Sequence, residues 1–129
     1  MIETTAIHHV SLTVVNVEEA KVFYRDVLKL KELPRPNFDF EGAWFAVGAQ
    51  QLHLIIDPGH TINLERTINT RAPHFALRVI DYYETVKWLQ QNKIDIVEKP
   101  DSRSGFAQIF CLDPSGNTIE LNVDQNDLR

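Results

Sequence analysis

Four side chains in this sequence combine types and positions suited to holding a metal ion: His9, His53, His74 and Glu120. Imidazole nitrogen and carboxylate oxygen suit divalent Zn, Ni, Co, Mn or Fe, and three or four such donors leave positions open on a six-coordinate ion. A metal with open positions is a Lewis acid. It can hold two neighbouring oxygens of a substrate and stabilise an enediolate formed beside a carbonyl. Removing the proton requires a base near the metal. Glu120 is the one carboxylate of the four, so it is expected to be catalytic as well as ligating.

An internal repeat makes these four a set. The stretch "HVSLTVVNVEEAKVFY" from His9 lies over "HFALRVIDYYETVKWL" from His74, an offset of 65 (74 − 9) that also superposes Asn16 on Asp81. Further on, "FAVGAQQLHLIID" from Phe45 lies over "FCLDPSGNTIELNVD" from Phe110, and the offset reaches 67 (120 − 53) by Glu120 through two extra residues assigned to the "DPSG" turn. His9 therefore matches His74, and His53 matches Glu120. Each half reads as strand, helix, then three strands. Strands are expected over 7–15, at "FDF" (38–40), "AWFAV" and "QQLHLII", then at "HFALRVI", "IDIVEKP", "FAQIFCL" and "TIELNV". Asn16 and Asp81 cap the two helices. The expected fold is α+β: two βαβββ modules, about 5–57 and 72–124, forming a cup-shaped mixed sheet in a single domain, 1–129. The helices lie on its outer face, and the Pro58–Ala72 connection could serve pairing within one chain or between swapped modules.

Strand alternation gives the facing. Val10, Leu12 and Val14 oppose His9; Leu52, Leu54 and Ile56 oppose His53; Phe75, Leu77 and Val79 oppose His74; Ile119, Leu121 and Val123 oppose Glu120. The apolar faces are expected against the helices, which leaves the four ligand candidates on the open side. His8 then faces the helices as a packed or edge residue. Arg78 shares the His74 face and could bind an anionic substrate group, with a surface carboxylate as its ordinary partner. Trp44 and Phe106, with Phe38 and Phe40, are expected to shape an apolar substrate pocket. Phe23, Tyr24 and Trp88 recur at helical spacing and read as core. Cys111 reads as packing, and His60 carries no role.

The 129 residues are 43% hydrophobic and 24% charged, a globular composition of length sufficient for one core. A net charge of −5 with scattered Lys and Arg gives no footprint for nucleic acid. No apolar stretch reaches membrane-spanning length, and the N-terminus has no signal-peptide pattern. One cysteine rules out an internal disulfide and fits a reducing, cytoplasmic setting.

The pieces "IHHVSLTV", "AKVFYRDVLKLKEL", "PHFALRV" and above all "LDPSGNTIELN" resemble the vicinal oxygen chelate superfamily. That superfamily includes glyoxalase I, bleomycin-resistance proteins, fosfomycin-resistance enzymes and extradiol dioxygenases. The resemblance implies paired βαβββ modules around a divalent metal, with ligands at His9, His53, His74 and Glu120. Glyoxalase I has a glutamate at the position of His53, so this sequence departs from that pattern there. The narrower two-histidine, one-carboxylate set of the fosfomycin-resistance enzymes and extradiol dioxygenases is met by His9, His74 and Glu120 alone. The resemblance also implies a homodimer acting on a small molecule. The leading expectation is a metal-dependent lyase or isomerase acting on a small hydroxy-carbonyl compound, as the similarity to glyoxalase I implies. The alternatives are a non-catalytic, bleomycin-resistance-like binding protein and an iron-dependent extradiol-type dioxygenase.

Overall fold

The computed structural model describes residues 1–59 and 65–128; His60 and part of the Pro58–Ala72 connection lie outside the described residues. The chain divides into two compact units, Met1–Thr61 and Ile62–Arg129. In the first, strand β1 (His9–Val14) leads into helix α1 (Val17–Val22), which continues through a π-helical turn at Phe23–Val27. Strands β2 (Lys31–Leu33), β3 (Gly42–Val47) and β4 (Gln50–Ile56) follow. The second unit repeats the order with β5 (His74–Arg78), α2 (Tyr82–Gln91), β6 (Val97–Lys99), β7 (Phe106–Leu112) and β8 (Thr118–Asp124). The sheets run β1-β4-β3-β2 and β5-β8-β7-β6. This is the expected α+β class, with βαβββ twice over.

Each sheet joins its first and last strands in parallel and its other neighbours antiparallel. A parallel pair requires a crossover connection, and the helix lies within it. The helices start where the sequence says they should. Asn16 Oδ1 accepts from the Glu19 amide at 2.9 Å, and Asp81 Oδ1 accepts from the Glu84 amide at 2.9 Å. Both caps satisfy an N–H that the helix leaves orphaned, each worth roughly 1 kcal/mol.

The core of the first unit gathers Val14, Phe45, Leu52 and Leu54 from the sheet with Ala20, Phe23 and Tyr24 from the helix. The π-helical turn buries two consecutive aromatics, Phe23 and Tyr24, and Tyr24 meets Phe45 at 6.0 Å between ring centroids. In the second unit Leu77, Tyr82, Leu89, Ile109, Ile119, Leu121 and Val123 are buried. A fully buried side chain of this size contributes roughly 1.5–3 kcal/mol.

Four expectations need correction. The "FDF" segment is not a strand; β2 is Lys31–Leu33, paired with Trp44–Ala46. The alternation of Phe38 and Phe40 has another cause: the rings stack on each other at 5.1 Å, with the Arg35 guanidinium over both. Trp88 is 37% exposed, because the buried stripe of α2 runs through Tyr82 and Leu89 and Trp88 flanks it. His8 does not pack under the helix. It is exposed just before β1, and its Nδ1 lies 2.9 Å from Nδ1 of His9. Finally, the repeat is offset by 66 rather than 65 at β3 and β7 (110 − 44), since Trp44 pairs with His53 as Phe110 pairs with Glu120. One of the two extra residues thus lies in the hairpin turn and the other upstream of β7.

The β7–β8 hairpin fixes where Glu120 falls. Asp113 Oδ1 accepts from the amides of Ser115 at 2.9 Å and Asn117 at 2.8 Å, while Oδ2 accepts from Asn117 Nδ2 at 2.9 Å. Gly116 takes φ +85°, a left-handed conformation that glycine adopts without strain. A turn held this firmly sets the register of β8, and a slip of one residue would reverse the face of every side chain on it.

Candidate metal centre

In the first unit, His9 on β1 and His53 on β4 share one sheet face. Their rings stack at 4.2 Å with 15° between planes, and the other face of His53 stacks on Trp44 of β3 at 4.2 Å and 6°. Three adjacent strands thus present three parallel rings. His53 is only 8% exposed. Its Nε2 lies 2.8 Å from Oε1 of Gln51, two residues back on the same face. A carbonyl oxygen can only accept, so that bond places the hydrogen on Nε2 and leaves the lone pair on Nδ1. Burial, followed by the charges of His9, His8 and Arg35, holds the His53 pKa below the ordinary imidazole value. A neutral imidazole is the form that binds metal.

In the second unit, His74 on β5 and Glu120 on β8 form the equivalent pair. His74 Nδ1 lies 2.7 Å from the Ala72 carbonyl, and Nε2 lies 3.1 Å from Glu120 Oε1. The carbonyl fixes the hydrogen on Nδ1. In the neutral ring, Nε2 then offers a lone pair toward a carboxylate oxygen. Two acceptors at that separation call for a shared cation, either a proton or a metal. Two donors each about 2.1 Å from one divalent ion stand roughly 3 Å apart, so the pair fits a metal without rearrangement. A carbonyl holding the far nitrogen of a ligating histidine is also the usual support for such a ligand.

Glu120 is 4% exposed, and its second oxygen accepts from Asn122 Nδ2 at 2.7 Å. Asn122 Oδ1 in turn accepts from Arg78 Nε at 2.8 Å. Arg78 thus partners Asn122 rather than the surface carboxylate expected of it, and its guanidinium lies 5.2 Å from the centre of the Phe106 ring. Phe110 meets His74 edge-on at 5.5 Å.

The six expected site residues outside Glu120 are thereby distributed as neighbours: His9, His53 and Trp44 in one unit, His74, Arg78 and Phe106 in the other, beside Glu120. Among the described residues, no group of three or more His, Cys, Asp or Glu side chains is gathered as metal ligands. Sequence reasoning missed the supporting groups: Gln51, Asn122, His8 and the Ala72 carbonyl. Period-2 spacing could have found Gln51 and Asn122, each two residues from a ligand candidate and so on its face. Cys111 is fully buried, and burial, with Asp113 second, pushes its thiol up to about 12, which leaves it inert.

A family model for the Glyoxalase/Bleomycin resistance protein/Dioxygenase superfamily matches residues 6–121. The chain belongs to this superfamily. Among superfamily relatives, "Glyoxylase I 4" of Arabidopsis thaliana is 30% identical, over 91% of this chain and 70% of that protein. Metallothiol transferase FosB of Staphylococcus epidermidis is 25% identical, over 94% of this chain and 83% of that protein. The crystal structure of a protein described as glyoxalase family, from Bacillus anthracis, superposes with a TM-score of 0.82 at 23% identity, covering 96% of this chain and 98% of that one. That likeness shows the fold. No helix among the described residues is long and apolar enough to cross a membrane.

Proposed function

We propose that this superfamily member is a divalent-metal-dependent lyase or isomerase of glyoxalase-like type, acting on a small hydroxy-carbonyl compound. The observation that carries the reading is the buried Glu120 carboxylate set 3.1 Å from Nε2 of a histidine whose other nitrogen is held by a backbone carbonyl. The residues proposed to hold its metal, one of Zn, Ni, Co, Mn or Fe, are His9, His53, His74 and Glu120. When bound, the metal supplies a Lewis acid for two vicinal substrate oxygens. The chain's own residues do the rest. Asn122 would hold Glu120 in place, Glu120 would take the proton from the carbon beside the carbonyl and return it to the neighbouring carbon, and Arg78 would bind an anionic group beside Phe106. Trp44 keeps His53 aligned and offers an apolar wall to the substrate.

The same proposal takes residues 1–129 as one domain, acting as a homodimer in the cytoplasm on a small molecule, with neither nucleic acid nor membrane as partner. The test is turnover by metal-reconstituted protein of thiohemiacetals of 2-oxoaldehydes, beside catechols under oxygen. Conversion of the former, abolished by Glu120→Gln, supports the reading. Conversion of catechols alone moves the chain to an extradiol-type oxygenase. Binding without turnover of either leaves a small-molecule-binding protein of the bleomycin-resistance kind.

One observation favours a three-ligand variant. His53 Nε2 is engaged by Gln51, so His9, His74 and Glu120 could form a two-histidine, one-carboxylate set with His53 as its neighbour. Metal affinity of His53→Ala separates the two: a loss well beyond the roughly 10–100-fold that removing a supporting neighbour costs marks His53 as a ligand, and a loss within or below that range leaves it a neighbour of the three-residue set.

A further inference from the structure

Beyond the ligand pairs, the first unit carries an aromatic surface that its own core does not use. Phe38 and Phe40 are 43% and 41% exposed, although free side chains of this size ordinarily bury. They are not loose. Their rings stack at 5.1 Å, and the Arg35 guanidinium lies 4.6 Å from the centre of the first and 5.0 Å from the second. Arg35 Nη2 also donates to the Phe40 carbonyl at 3.0 Å.

Gly42 makes room for this arrangement. A Cβ there would stand 2.9 Å from Nε and Nη2 of Arg35 and would collide with the Leu54 carbonyl oxygen. Phe38 in turn leans on Trp44 at 6.3 Å, and Trp44 stacks on His53 at 4.2 Å. The aromatic surface is therefore continuous with the ring that the proposed metal chemistry uses.

We infer that Phe38, Phe40 and Trp44, locked by Arg35 over Gly42, form a subsite for an aryl group, so that the substrate pairs chelating oxygens with an aromatic ring. The inference rests on the metal-dependent reading for the chelating half alone. The aryl half stands on the ring geometry. An edge or offset-stacked contact needs a ring face fixed in advance, and Arg35 provides that by holding both phenylalanines through cation–π contact and a backbone bond. A purely aliphatic small substrate would leave this surface in water.

The test compares mandelate with lactate, which differ only in phenyl for methyl and share the same vicinal oxygens. The full chain carries Trp88→Phe, so that Trp44 is its one tryptophan, and binding is read from Trp44 fluorescence with and without added zinc. Mandelate is expected to bind about tenfold more tightly than lactate or better, the scale of one good aromatic contact plus burial of a ring. Phe38→Ala and Arg35→Ala should each bring the ratio close to one, and Arg35→Lys, which keeps a cation and a donor, should restore part of it. Equal affinity for the two acids, absence of saturable mandelate binding, or a ratio unchanged by Phe38→Ala overturns the inference. A change of oligomeric state in Phe38→Ala with mandelate affinity intact also overturns it and assigns the rings to a contact between copies. An aryl preference that persists without zinc in a chain that holds no metal retires the catalytic proposal and leaves the subsite standing. Zinc binding without aryl preference does the reverse.

Discussion

Replacing Asn122 by leucine removes the side chain that links Glu120 to Arg78. Two hydrogen bonds are lost, one to Arg78 Nε at 2.8 Å and one to Glu120 Oε2 at 2.7 Å. Both involve a charged group, for which roughly 1.5–3 kcal/mol each is the usual net worth. They do not count equally. Arg78 is exposed, and water can replace its partner at little cost. Glu120 is 4% exposed and Asn122 5%, so the carboxylate oxygen loses a donor that solvent cannot readily restore. Leucine returns about 1 kcal/mol through apolar burial at a nearly isosteric position. The net cost is about 1–2 kcal/mol, which for a chain of 129 residues corresponds to a fall in Tm of about 3–8 °C. The assay is a thermal scan of chelator-treated protein, followed by titration with zinc. If Glu120 is a ligand as proposed, the amide orients it, and zinc affinity should also fall about 10–100-fold. A variant with unaltered Tm and unaltered zinc affinity would refute the idea that Asn122 supports Glu120.

Other outcomes follow from single contacts. Gly42→Ala should destabilise by about 1–3 kcal/mol in urea denaturation, since the added carbon meets the Leu54 carbonyl oxygen, which the β3–β4 pairing prevents from moving away; a neutral or stabilising substitution would contradict the close approach. The Cys111 thiol, raised from 9.0 to about 12, keeps a proton in the folded state that the unfolded chain loses between those values. Stability should therefore fall as pH rises through that window, and Cys111→Ala should flatten the slope. Tyr82, whose hydroxyl donates to Glu98 Oε1 at 2.9 Å and whose pKa is likewise raised by burial first, adds to the same slope. Asp81→Ala should cost about 1 kcal/mol in thermal unfolding through loss of the α2 cap, and an unchanged Tm would count against the cap.

The central strands were legible in the sequence almost to the residue. "QQLHLII" is β4, "FAQIFCL" is β7, and "TIELNV" is β8 short of its last residue. These strands have neighbours on both edges, so their alternation is enforced along their whole length. The edge strand β2 was not legible. It is three residues long, and the stronger period-2 signal came from Phe38 and Phe40, whose spacing serves the Arg35 clamp. Facing was readable for His9, His53, His74 and Glu120 because each lies opposite a complete apolar row. What each side chain bonds to was not readable, since Asn122, Gln51 and the Ala72 carbonyl are defined by rotamers and strand register rather than by residue type. His8 misled for a related reason. It precedes the first ladder residue, where alternation no longer fixes a direction.

The metal claim is tested most directly by elemental analysis of protein purified without chelator or nickel affinity, beside Glu120→Ala. Close to one divalent metal per chain is expected in the wild type, with a marked loss in the variant. Protein that takes up no divalent ion even when one is added back, or a Glu120→Ala variant that holds as much metal as the wild type, would contradict a metal site built on Glu120.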